Sequence, residues 1–263
     1  MQDHAYDVAL DGNLAFVADG SNGLTVYDIG QPPTVVVGNV GGETRSKPAL
    51  GHATAVKLWR DADNGKKYAL VASGHAGIGV VDVTDAANMV LIKVFEPIKT
   101  EVHEDEPQYN KADGKSVDVL IVGDHAYFTY DSFGVLAYRI ADLIKPLSPQ
   151  YAGDPTKIWD RGEIGDRPVA VARFKLQDPA LSGSADLSDL SGGAQGMFTM
   201  NTGSKQLFYV AYDSAGVAKI DWTDVANPVL VQHIDTAGNA SDVEVASGRV
   251  FVADGGGGLV IIK

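Results

Sequence analysis

Cysteine is absent from all 263 residues. That excludes disulfides, thiolate nucleophiles, thiolate zinc sites and covalently attached haem on this chain. An apolar run of about 18 residues is also missing, so this segment is not expected to insert into a membrane as a helix. Basic residues are few beside acidic ones: 21 Lys and Arg against 34 Asp and Glu, for a formal charge of −13. Such a surface repels nucleic acid phosphates and anionic lipids, so no nucleic-acid partner is expected. Met1-Gln2-Asp3-His4 does not read as the start of a signal peptide. An export signal, where one is used, is expected outside this chain. Nucleophile elbows, Walker loops and dinucleotide fingerprints are missing as well. The four glycines Gly255 to Gly258 follow a strand-like run and precede another, whereas a phosphate cradle should open a helix.

What the chain has is glycine at repeating places. Five segments share one form: "VADGSNGLTVYDI" (Val17 to Ile29), "VASGHAGIGVVDV" (Val71 to Val83), "TYDSFGVLAYRI" (Thr129 to Ile140), "AYDSAGVAKIDW" (Ala211 to Trp222) and "VADGGGGLVIIK" (Val252 to Lys263). Each is an apolar run, a small or acidic turn, a glycine and a second apolar run, the pattern of a β-hairpin. The glycines are Gly23, Gly77, Gly134, Gly216 and Gly258. A strand-like run precedes each hairpin ("YDVAL", "TAVKL", "VDVLI", "GMFTM", "SDVEV"). Another follows the first four ("PTVVVGNV", "NMVLIKVFE", "RPVAVARFKL", "NPVLVQHID"). Four strands per repeating unit predict an all-β chain: a β-propeller of about five blades, read as a single domain over residues 1–263. A β-sandwich is the alternative, but it needs no repeating unit.

The segments "GLTVYDI", "GIGVVDV" and "GLVIIK", with "VTDAANMVLIKV" and "WTDVANPVLVQHIDT", resemble the LVIVD repeat. The resemblance implies a repeat protein of the bacterial or archaeal cell-surface or exported β-propeller type. It carries a fold and leaves activity open. It covers most of the chain apart from residues 99–115, 141–165 and 178–192.

The fifth unit ends at Lys263 without the outer strand that follows units two and four. The last blade is therefore expected to have three strands, and an open sheet edge is an aggregation liability. The expectation is that this chain is part of a longer polypeptide that supplies the strand. A protein partner donating it is the alternative.

Chemistry on a propeller gathers where the innermost strands begin. Asp7, Ala55, Asp118, Gly196 and Asp242 occupy matched positions there, and His4, His52, Lys115, Gly193 and Asn239 lie three residues earlier. His4, Asp7, His52, Asp118 and Asp242 are the ligand candidates for the axial channel. His4 and His52 could hold a divalent metal such as zinc, and a ring of carboxylates would suit calcium. Turn capping by Asp is the competing reading. Asp19, His75, Asp131, Asp213 and Asp254 form a second group in the hairpin loops, read as turn residues. Arg60 to Lys67 contains Asn64-Gly65 and is read as a hairpin turn. The long insertions, about 99–115 and 141–192, are where contacts are expected, with Tyr151, Trp159 and Arg161 as interface anchors.

The functional expectation is a non-catalytic extracellular or cell-surface scaffold that binds a protein or polymer. Two alternatives stand beside it: a metal-dependent enzyme with an axial His/Asp site, and a component of an extracellular multihaem redox assembly whose cofactors sit elsewhere.

Overall fold

The computed structural model describes residues 4–41, 50–97, 114–147, 168–176 and 192–263. Nearly all regular structure is antiparallel β. The first sheet holds β1 (Asp7–Asp11), β2 (Leu14–Ala18), β3 (Leu24–Asp28) and β4 (Val35–Val40). The second holds β5 (Ala55–Arg60), β6 (Lys67–Ala72), β7 (Ile78–Asp82) and β8 (Val90–Phe95). The third holds β9 (Val119–Val122), β10 (His125–Tyr130), β11 (Gly134–Arg139) and β12 (Ala172–Phe174), with the short helix α1 (Ile140–Leu143) after β11. The fourth holds β13 (Met197–Asn201), β14 (Gln206–Ala211), β15 (Val217–Asp221) and β16 (Val229–Ile234). The fifth has three strands: β17 (Asp242–Ala246), β18 (Arg249–Ala253) and β19 (Leu259–Ile262). Each run that the sequence marks as innermost is the first strand of its sheet.

The chain divides into two compact units, one of residues 1–126 and 138–169, the other of residues 127–137 and 170–263. In the first, Leu24 and Val26 of β3 pack against Leu50, Ala53 and Val56, with Val71 and Val81 behind them. In the second, Val217 of β15 packs with Ala240, Val243 of β17 and Val252. In both units the third strand of one sheet meets the first strand of the next. The second strands β6, β10 and β14 are buried from their second residue onward. That burial explains their apolar runs, interrupted only by the buried Thr129 of β10, since a strand covered on both faces has no polar side.

One turn recurs in all five hairpins. Three residues before the closing glycine stand Gly20, Gly74, Asp131, Asp213 and Gly255, all at positive φ (50°, 57°, 38°, 46° and 50°). Their carbonyls accept from the closing glycine amides at 2.9–3.2 Å. The loop residues grouped by type in the sequence therefore do not share a position. Asp131 and Asp213 hold the left-handed place, a conformation Asp tolerates. Asp19 and Asp254 precede it, and His75 follows it. Asp61 to Lys66 closes β5 onto β6 as expected, with Gly65 at φ 73°.

The "TDxAN" link is explained by its hydrogen bonds. Asp82 Oδ1 accepts from the Thr84 amide and hydroxyl at 3.0 and 2.6 Å, and Asp85 accepts from the Ala87 amide and the Asn88 side chain at 3.0 and 2.9 Å. The fourth sheet repeats the set with Asp221, Thr223, Asp224, Ala226 and Asn227. Lys66 pairs with Asp82 at 3.0 Å and Lys205 with Asp221 at 2.7 Å. Hydrogen bonds from Lys205 and Thr223 bring the Asp221 carboxyl down to about 2. Asn88 and Ala87 lower Asp85, and Asn227 and Ala226 lower Asp224. At Asp82 burial pulls upward, but the bonds from Thr84 and Lys66 outweigh it.

A carboxyl lowered in the folded state stabilises above its ordinary value, 3.8 here, and loses that contribution as pH falls through the folded value. The melting temperature is expected to hold down to about pH 4 and then fall towards about pH 2. Asp221→Asn should flatten that slope in a series of melts against pH.

Candidate functional site

The sheets are joined by a repeated latch. The left-handed turn residue forms a two-residue bridge with the small residue that precedes the next first strand. In the first unit these bridges are Gly20 with Ala53 and Gly74 with Ser116, and in the second Asp131 with Ala194 and Asp213 with Ala240. Gly20 and Ala53 exchange both bonds at 3.1 and 3.0 Å, as do Asp213 and Ala240 at 2.9 and 2.8 Å. Ala53, Ser116, Ala194 and Ala240 are fully buried, so the position has room only for a small side chain.

The aspartates at the start of the innermost strands serve the backbone. Asp7 Oδ1 accepts from the Val8 amide at 2.8 Å. Its Oδ2 accepts from the Val56 amide and from Lys57 Nζ at 3.0 and 2.9 Å, which ties β1 to β5. Asp118 accepts from the Val119 amide at 2.7 Å and Asp242 from the Val243 amide at 2.8 Å. Gly196 gives Asp242 its place: a Cβ there would meet Asp242 Oδ1 at 2.3 Å.

Tyr6 stands beside both candidate histidines, with ring centroids 6.4 Å from His4 and 5.1 Å from His52. Among the described residues no three His, Cys, Asp or Glu side chains gather as a metal-ligand group. Tyr151, Trp159 and Arg161 lie outside the described residues. A cleft of about 120 Å³ lies beside Leu10, Leu58, Trp59 and Val83, with Lys67 and Asp11 paired at its wall. It is smaller than a typical cofactor or ligand pocket of about 300–1,000 Å³.

Sequence reasoning missed two uncovered apolar faces. Val8 of β1 is 53% exposed, whereas Val56, Val119, Met197 and Val243 at the same place in the other first strands are at most 5% exposed. Leu259 of β19 is 68% exposed, whereas its counterparts Leu24, Ile78, Val135 and Val217 are at most 1% exposed. Leu10 and Ile261 extend these faces. Elsewhere these same positions pack one sheet on the next. Residue type could not reveal the difference, because all ten side chains are apolar.

A family model described as the LVIVD repeat matches residues 3–37, 65–96 and 237–262. No curated protein matches the chain. Three solved structures are similar in fold. The β-propeller domain of Myceliophteria thermophila Cps50 (Swd1) is 13% identical with a TM-score of 0.56, covering 100% of this chain and 71% of its own. Saccharomyces cerevisiae Sqt1 is 9% identical with a TM-score of 0.57, covering 100% and 62%. The computationally designed Ika8 protein is 7% identical with a TM-score of 0.56, covering 97% and 57%. This chain thus spans less than two thirds of the length of two of them. Among the described residues no helix is long and apolar enough to cross a membrane.

Proposed function

We propose, for a chain that is a β-propeller carrying LVIVD repeats, a non-catalytic role as a protein-interaction scaffold at the cell surface or outside the cell. The observation that carries it is the exposure of Val8 and Leu259 where every counterpart is buried. Contiguous apolar surface left open on a water-soluble fold marks an interaction site. The extracellular setting rests on the resemblance to exported LVIVD proteins, and cysteine-free composition is compatible with it.

The test compares wild type with Val8→Asp and Leu259→Asp as baits in an extract of the native source. A stoichiometric partner, lost with one of the two variants while the melting temperature holds, is the expected result. A melting temperature raised by zinc, and no longer raised in His4→Ala or His52→Ala, would favour an axial metal site instead. Retention of the same proteins by all three baits would count against both exposed faces as interfaces.

A further inference from the structure

The corner where β1 ends and β5 turns into β6 holds more cations than it pairs. Arg60 closes β5, Lys67 opens β6, and the two stand directly opposite in the ladder. Cross-strand partners share a face, and like charges placed so repel. The same place in the fourth sheet is complementary: Asn201 Nδ2 donates to Gln206 Oε1 at 3.1 Å. Lys67 is relieved by Asp11 of β1, with which it forms an ion pair. The other carboxylates of this corner are engaged elsewhere. Asp61 accepts from the Asp63 amide and from Asn64 Nδ2 at 2.9 and 2.6 Å, and Asp82 pairs with Lys66 at 3.0 Å. Among the described residues Arg60 makes no ion pair and no side-chain hydrogen bond.

The cleft of about 120 Å³ opens beside this cation pair, and both cations line it. Phe16, Leu58 and Val83 line it as well. Phe16 and Val83 are 1% and 2% exposed and belong to the core of the first unit, while Arg60 is exposed. The cleft is therefore apolar at depth and cationic at its rim, and Asp11 answers one of the two charges there. All of its walls come from the first two sheets, which share the core of that unit.

We propose that this cleft binds a small carboxylate, with a short branched or aryl body against Phe16, Leu58 and Val83 and its carboxylate on Arg60. The volume sets the size of the body: an apolar cavity of about 150 Å³ takes up benzene, so this one has room for about four to six carbons. The guanidinium fork sets the head group, because it matches a carboxylate bidentately. The bound charge also offsets the repulsion between Arg60 and Lys67. On a chain of formal charge −13 the overall field disfavours an anion, so the attraction has to come from this local excess of cations. The assignment goes beyond the scaffold reading and does not rest on it.

The test titrates the whole native protein with isovalerate and follows the methyl groups of Leu58 and Val83 by NMR. Both should shift and saturate, with a dissociation constant of about a millimolar. Arg60→Gln removes the charge from an exposed side chain and should weaken binding about tenfold or more. Isoamyl alcohol, the neutral isostere, should bind wild type about tenfold or more weakly, a comparison that requires no variant to fold. Inorganic phosphate should also bind about tenfold or more weakly, because it has no body to fill the cleft. Absence of saturable shifts at about tenfold above the expected constant overturns the proposal. Equal affinity for acid and alcohol overturns it, as does an affinity unchanged by Arg60→Gln. Phosphate that binds as tightly as isovalerate overturns it in favour of a bare anion site. None of these outcomes bears on the bait experiment with Val8→Asp and Leu259→Asp, so the two readings fail separately.

Discussion

Trp222→Ala is expected to destabilise the protein by roughly 3–5 kcal/mol, the usual cost of emptying a large aromatic site in a core. Trp222 is 1% exposed and centres an aromatic cluster in the second unit. Ring centroids of Tyr127 and Phe208 lie 5.1 and 5.2 Å from it, and that of Phe174 lies 6.4 Å away. Tyr127 and Phe208 approach each other to 4.5 Å. Trp222 Nε1 also donates to the Val225 carbonyl at 2.9 Å, inside the link that turns β15 into β16. Trp222→Phe keeps most of the volume but leaves that carbonyl without its donor, a loss of about 1–3 kcal/mol. Urea unfolding of the two variants should rank them in that order. Equal stabilities would mean that the hydrogen bond, not the packing, is what Trp222 contributes.

The second large effect is a contrast between two glycines. Gly77 has φ 92°, and a Cβ on it would lie 2.2 Å from the Phe95 carbonyl oxygen. Gly77→Ala combines a left-handed residue, about 1–2 kcal/mol, with overpacking of about 1–3 kcal/mol. It should therefore cost roughly 2–5 kcal/mol. Gly258→Ala meets nothing within 4 Å and carries only the cost of a side chain on backbone at φ 73° and ψ −136°, about 1–3 kcal/mol. Midpoints of urea unfolding measured side by side decide this. Equal losses would mean that an outer strand already lies on Gly258.

Much of the fold was legible because its signals are local. Alternating and continuous apolar runs located the strands, and Gly23, Gly77, Gly134, Gly216 and Gly258 located the turns. The missing outer strand of the fifth unit followed from alignment on those glycines, and the three-stranded sheet agrees. Grouping Asp19, His75, Asp131, Asp213 and Asp254 by residue type hid the register of the turn. Counting three residues back from each closing glycine would have found it, since glycine or aspartate stands there every time.

The latches were less legible, because Gly20 and Ala53 meet only after two sheets have packed. Their trace in sequence is a small residue two or three places before the first strand: Ala53, Ser116, Ala194 and Ala240. The role of Asp7 was also split between sheets: its bond to Val8 is local, while those to Val56 and Lys57 are tertiary. Exposure at Val8 and Leu259 left no trace at all, since it depends on what packs against a strand rather than on the strand itself.

Hydrogen exchange resolved strand by strand, on the protein alone, tests the central claim most directly. Amides of β19 are predicted to exchange markedly faster than those of β3, β7 and β15, which are paired on both sides. Protection of β19 equal to that of β15 would contradict the account, because the edge would then be covered.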